Sequence, residues 1–136
     1  MGVRLGDLRR VCQHPVRGSN DVAGLIYGDY ASLPITKLFV DLSISPDVAS
    51  VGFLVAGLLG ALLQVGSGWW AVGAAVLMLV YYVLDCVDGE VARWLKVTDV
   101  RWGYFDYLFH MLVKPLCFFG VGLGAWFDLH RPWPLA

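Results

Sequence analysis

The stretch Leu84-Asp85-Cys86-Val87-Asp88-Gly89-Glu90-Val91-Ala92-Arg93 ends one long apolar run of the chain. Trp102-Gly103-Tyr104-Phe105-Asp106-Tyr107-Leu108-Phe109-His110 begins the next. Asp85 and Asp88 are three residues apart, and Asp106 and His110 are four apart. On helices, those spacings put each pair on one face. Two helices joined by a short loop would bring three carboxylates and an imidazole to one membrane edge. Ionisable groups inside spans are costly and default to function. Hard cations such as Mg²⁺ and Mn²⁺ prefer carboxylate oxygens, so the pattern outlines a divalent-metal site.

Composition supports the membrane setting. Of 136 residues, 58% are hydrophobic and 15% charged, and mean hydropathy is +0.65, more apolar than a soluble domain of this length. A net charge of −1, without a basic tract, argues against nucleic acid as a partner. Cys12, Cys86 and Cys117 lack metal-ligand spacing and imply no disulfide framework. Cys86 and Cys117 lie in apolar runs as small hydrophobes. Arg4, Arg9 and Arg10 are not followed by an apolar core, so no signal peptide is expected.

Outward from the acidic stretch, the chain divides into three parts. Residues 1–44 form a mixed-polarity N-terminal segment. Within it Leu33, Ile35, Leu38, Phe39 and Leu42, interrupted by Lys37 and Asp41, predict a short amphipathic helix in the membrane interface. Residues 45–127 form a three-span membrane domain. Ser45-Pro46-Asp47 reads as a helix start, with Ser45 capping and Asp47 at the positive end of the dipole. The first span runs from Val48 to Val65, followed by a turn at 64–68 and the interfacial pair Trp69 and Trp70. The second begins at Ala71, passes through both aspartates and reaches about Leu95. Lys96 to Trp102 is expected to be a polar loop. The third runs from Gly103 to Trp126, with a kink expected at Pro115. Residues 128–136, with Pro132 and Pro134, form a tail. Gly52, Gly57, Gly60, Gly120, Gly122 and Gly124 suit close helix approach.

Lys and Arg placement predicts orientation. Arg4, Arg9, Arg10, Arg17 and Lys37 precede the first span, and Arg93, Lys96 and Arg101 surround the second loop. The first loop has none, and the tail has only Arg131. The N-terminus and the Asp85–His110 region are therefore expected on the cytoplasmic side, in a prokaryotic inner membrane.

The spacing resembles the CDP-alcohol phosphotransferase family, whose motif is D-x-x-D-G-x-x-A-R-x8-G-x-x-x-D-x-x-x-D. Asp85, Asp88, Gly89, Ala92, Arg93 and Asp106 match in register. Trp102 stands at the second glycine position and His110 at the fourth aspartate. The resemblance implies transfer of a phosphatidyl-type group from a CDP-linked donor to a small alcohol, releasing CMP, in phospholipid biosynthesis. It implies Asp85, Asp88 and Asp106 as ligands to Mg²⁺ or Mn²⁺. Gly89 and Ala92 would leave room for the nucleotide, and Arg93 would bond the donor's phosphates. His110 would be the catalytic base, since imidazole is competent near neutral pH. It can also ligate a metal, or pack as a bonded histidine. Lys114, four residues further on, would hold an acceptor phosphate, snorkel, or neutralise a site carboxylate. Ile44-Ser45-Pro46-Asp47-Val48-Ala49-Ser50 is similar to the family's segment opening the first span, with Asp47 at a nucleotide-contacting asparagine position. Glu90 falls in a variable position and is expected to be solvated or loop-facing.

The family's members typically have six spans, so the chain corresponds to their N-terminal motif-bearing half: a fragment, a truncated homologue, or half of an assembly. A homodimer would enclose the Asp106–His110–Lys114 stripe. A non-enzymatic member that binds metal or assembles in the membrane is a second reading. A divalent-cation carrier is a third, disfavoured because a carrier has no use for in-register Gly89, Ala92 and Arg93.

Overall fold

The computed structural model describes residues 3–15, 30–97 and 100–130. Arg17 and Arg131, used in the orientation argument, and the tail prolines lie outside the described residues, as do the side chains of Arg101 and Trp102. The described chain is helical, without a strand. It is an all-α membrane protein. Helix α1 (Leu5–Leu8) runs into a π-helical turn, Arg9–Gln13. Helices α2 (Leu33–Asp41), α3 (Pro46–Leu63), α4 (Trp69–Leu95) and α5 (Val100–Leu129) follow. The last three are long and apolar enough to cross a membrane.

The predicted amphipathic helix is α2. It buries Leu33 and Thr36 and leans Ile35 and Phe39 on a cluster of Ala49, Val83, Val87 and Val91 from α3 and α4. Leu38 and Leu42 stay exposed on its other side, apolar surface for an interfacial position. Lys37 pairs with Asp41 one turn on. That hydrogen bond, together with the Val3 N–H, holds the Asp41 carboxyl below the usual carboxylate range. The helix ends in a Schellman turn, with Ser43 left-handed (φ 54°) and Ile44 N–H donating to the Phe39 carbonyl at 2.8 Å.

Ser45 is the N-terminal flanking residue of α3 and Pro46 its first residue. The Ser45 hydroxyl, expected on a backbone amide, lies instead 3.5 Å from the Asp47 carboxylate. Gly68 (φ 64°) turns the chain into α4, which starts on exposed Trp69 and Trp70. Helix α4 ends in a second Schellman turn, with Lys96 left-handed (φ 55°) and Val97 N–H on the Ala92 carbonyl at 3.0 Å.

Helix α5 begins at Val100, earlier than the polar pattern predicts, because no breaker separates Val100 from Gly103. Pro115 lies inside it. Helix α3 packs on both α4 and α5. The central cluster is Phe53, Ala56, Tyr81 and Val113. Most of the predicted small-residue contacts are present. A Cβ at Gly120 would meet the Ala61 carbonyl oxygen at 2.4 Å, and one at Gly124 the Gln64 carbonyl oxygen at 2.6 Å. Gly122 faces open space. The α3 start, the α4 end and the α5 start therefore share one end of the bundle.

Candidate metal centre

Helix α4 continues past its apolar run through Asp85, Asp88 and Arg93, and α5 returns with Asp106 and His110. Asp85, Asp106 and His110 converge, each offering a ligand atom within 4.8 Å of the others. His110 Nε2 lies 3.1 Å from Asp85 Oδ1 and 3.6 Å from Asp106 Oδ1. Its Nδ1 hydrogen-bonds the Tyr81 hydroxyl. The ring stacks on Phe53 with centroids 5.6 Å apart. The imidazole is thus held on three sides, with Nε2 aimed at the two carboxylates.

The donor set fits a divalent cation. Two carboxylates and an imidazole are hard or borderline ligands. Asp106 Oδ1 is buried and has no hydrogen-bond partner among the described residues, which is costly for a carboxylate oxygen unless a cation satisfies it.

Of the three carboxylates and the imidazole expected together, Asp85, Asp106 and His110 form this group, and the Asp88 carboxylate points elsewhere. Residues three apart on a helix point roughly 60° away from one another. That rotation turns Asp88 towards α3, where the Ser50 hydroxyl donates to its Oδ2. The Asp88 carboxylate stays within electrostatic reach of Asp85, Asp106 and Asp47. Asp47 is half-buried in the first turn of α3, at the same end of the bundle.

Arg93 lies back over its own helix. Its guanidinium covers Gly89, where a Cβ would stand 3.2 Å from Nη1. Nε donates to the Cys12 carbonyl at 2.8 Å. The space that Gly89 leaves is taken by the arginine. Ala92 is half-buried beside it. Lys114 continues the α5 face but is exposed.

Glu90 corrects the sequence reading. Expected to be solvated, it is only 2% exposed. Oε1 accepts from Gln13 Nε2 at 2.9 Å and from the Ser32 hydroxyl at 2.7 Å, and Oε2 accepts from the Thr36 hydroxyl at 2.5 Å. A buried carboxylate is tolerable with donors on both oxygens. The signal was present: Glu90 sits on the face defined by Val83, Val87 and Val91, while Ser32 and Thr36 repeat at helical spacing. Tyr81 was also missed, although it lies four residues before Asp85 and so shares its face.

A family model described as CDP-alcohol phosphatidyltransferase matches residues 44–105. The matched region spans α3, α4 and the beginning of α5, including Asp85, Asp88, Gly89, Ala92 and Arg93. No curated protein and no solved structure matches the chain.

Proposed function

We propose that this chain is a member of the CDP-alcohol phosphatidyltransferase family and that it transfers a phosphatidyl-type group from a CDP-linked donor to an alcohol in phospholipid synthesis. The alcohol oxygen bonds to the phosphorus that carries the lipid. The bond from that phosphorus to the bridging oxygen breaks, and CMP leaves with that oxygen. The observation that carries the reading is the convergence of Asp85, Asp106 and His110 beside in-register Gly89 and Arg93.

Asp85 and Asp106 would hold Mg²⁺ or Mn²⁺, with Asp88 in support. The ion, when bound, neutralises pyrophosphate charge and favours CMP as a leaving group. Arg93 binds the donor's phosphates through its terminal nitrogens, a geometry that a guanidinium suits. Gly89 lets that guanidinium lie close to the helix. His110 takes the hydroxyl proton at Nε2. In this structure Nε2–H donates to the Asp85 carboxylate and Nδ1 accepts from the Tyr81 hydroxyl; a cation held by Asp85 would free Nε2 to take the proton. Ala92 and Asp47 border the nucleotide, and Lys114 faces the acceptor. The positive flanks of the site argue for a cytoplasmic location, in a prokaryotic inner membrane.

The test is CMP release by the full chain in a bilayer. CDP-diacylglycerol is offered with a panel of alcohols, in Mg²⁺ or Mn²⁺. Release that depends on one alcohol, with the matching lipid product, is expected. Metal and donor binding without release from any alcohol would favour the non-enzymatic reading.

A further inference from the structure

Glu90 touches none of the groups assigned to that reaction, yet it is the most heavily bonded carboxylate near the site. Its three donors come from outside the spans. Gln13 ends the π-helical turn, Ser32 flanks the start of α2, and Thr36 lies within α2. One turn along α4, Arg93 grips the Cys12 carbonyl, the neighbour of Gln13. Glu90 and Arg93 thus clasp the same piece of chain from one face of α4. Cys12 itself is fully buried, packed with Leu8 and Leu33 against Trp94.

We propose that Glu90 is a positioning residue: it fastens the N-terminal segment to α4, so that the Cys12 carbonyl fixes the Arg93 guanidinium for the donor's phosphates. This rests on the reaction proposed above. An arginine has many rotamers, and holding one of them in advance removes an ordering cost from donor binding. A carbonyl on Nε leaves both terminal nitrogens for an anion, so the Cys12 contact orients the fork without consuming it. Glu90 suits the fastening because its two oxygens accept from three donors at once. Glutamine keeps one such oxygen and an amide that can donate to the Thr36 hydroxyl, so it preserves most of the contacts. Aspartate is one methylene too short to reach them.

The test uses the full chain and two readouts. The first is labelling of Cys12 by a water-soluble maleimide, read at that residue by mass spectrometry. In the closed arrangement Cys12 is shielded, and burial, with the Glu90 charge nearby, pushes its thiol up to about 11. Glu90→Ala should speed Cys12 labelling by at least about tenfold, because hydrogen bonds to a charged acceptor are lost. The second readout is the split of kcat and KM for the CDP-linked donor. Glu90→Ala should raise donor KM by about 10–100-fold with kcat little changed, the usual range for a group that orients a ligand-binding residue. Glu90→Gln should restore both readouts, whereas Glu90→Asp should behave like alanine. Unchanged Cys12 labelling in Glu90→Ala would overturn the fastening. Faster labelling with donor KM unmoved would overturn the positioning while leaving the reaction standing. A wild-type chain without turnover would sink the reaction and the positioning with it, and the labelling would still report whether Glu90 holds the segment. If Glu90→Ala does not fold, Glu90→Asp against Glu90→Gln gives the same comparison.

Discussion

His110 stands where the motif that the chain resembles has its fourth aspartate, and both its ring nitrogens are engaged. As the base, it is worth about 10²–10⁴ in rate, so His110→Ala should lose that much of kcat while Mn²⁺ affinity holds. If it serves instead as a ligand, the same change lowers Mn²⁺ affinity, which calorimetry separates from the kinetic effect. His110→Asp should retain activity and tighten the metal, because it adds a negative charge beside Asp85 and Asp106. Tyr81→Phe removes the partner of Nδ1 and should cost about 10–100-fold in activity, as for other groups that orient a site imidazole. Unchanged turnover in Tyr81→Phe would show that the Phe53 stack alone holds the ring. At this scale the sequence was legible where helical spacing carries the information. Asp85 on one helix and Asp106 and His110 on the next were expected to meet, and their ligand atoms do. The direction of Asp88 was not legible, and Glu90 was legible only as a member of the Val83, Val87 and Val91 face. The direction of each depends on a partner from a distant segment, Ser50 for one and Gln13, Ser32 and Thr36 for the other, and local spacing does not encode such pairs.

The helices themselves were easier to read. The start of α3 at Ser45-Pro46 follows from proline in the first turn, and the continuation of α4 through its aspartates from the absence of breakers. The early start of α5 was missed because the polarity of Lys96 to Trp102 resembles a loop, whereas helix formation there depends on backbone propensity. Packing of α5 on α3 rests on Gly120 and Gly124, where a side chain would strike a backbone carbonyl that cannot rotate away. Gly120→Val should therefore destabilise the bundle by about 1–3 kcal/mol, the usual cost of overpacking. Gly122→Val, with nothing within 4 Å, should have little effect and serves as the matched control. Unfolding in a graded detergent series measures both. Equal stability of the two variants would contradict the α3–α5 contact.

As a whole molecule, the described chain leaves much of α5 uncovered. Leu108, Met111, Leu112, Phe118, Phe119 and Val121 are exposed, as expected for surface facing lipid or further helices. Lys114 shares that helix and is exposed too, and a lysine at that depth requires a water-filled cavity or a partner. A homodimer that encloses the Asp106–His110–Lys114 stripe meets that need. Cross-linking in native membranes should give a dimer, and Lys114→Ala should weaken acceptor use more than donor use. A monomer in the bilayer with full activity would remove the dimer from the account.

The most direct test of the account is the rate of CMP release against Mn²⁺ concentration, in the wild type and in Asp106→Asn. The substitution keeps the side chain's shape but removes the charge of the carboxylate whose buried oxygen lacks a hydrogen-bond partner. The account predicts saturable, Mn²⁺-dependent release in the wild type. In Asp106→Asn it predicts a fall of more than roughly 10²-fold, beyond the effect of losing an outer-shell partner. Release that persists in chelator, or equal turnover in Asp106→Asn, would contradict it.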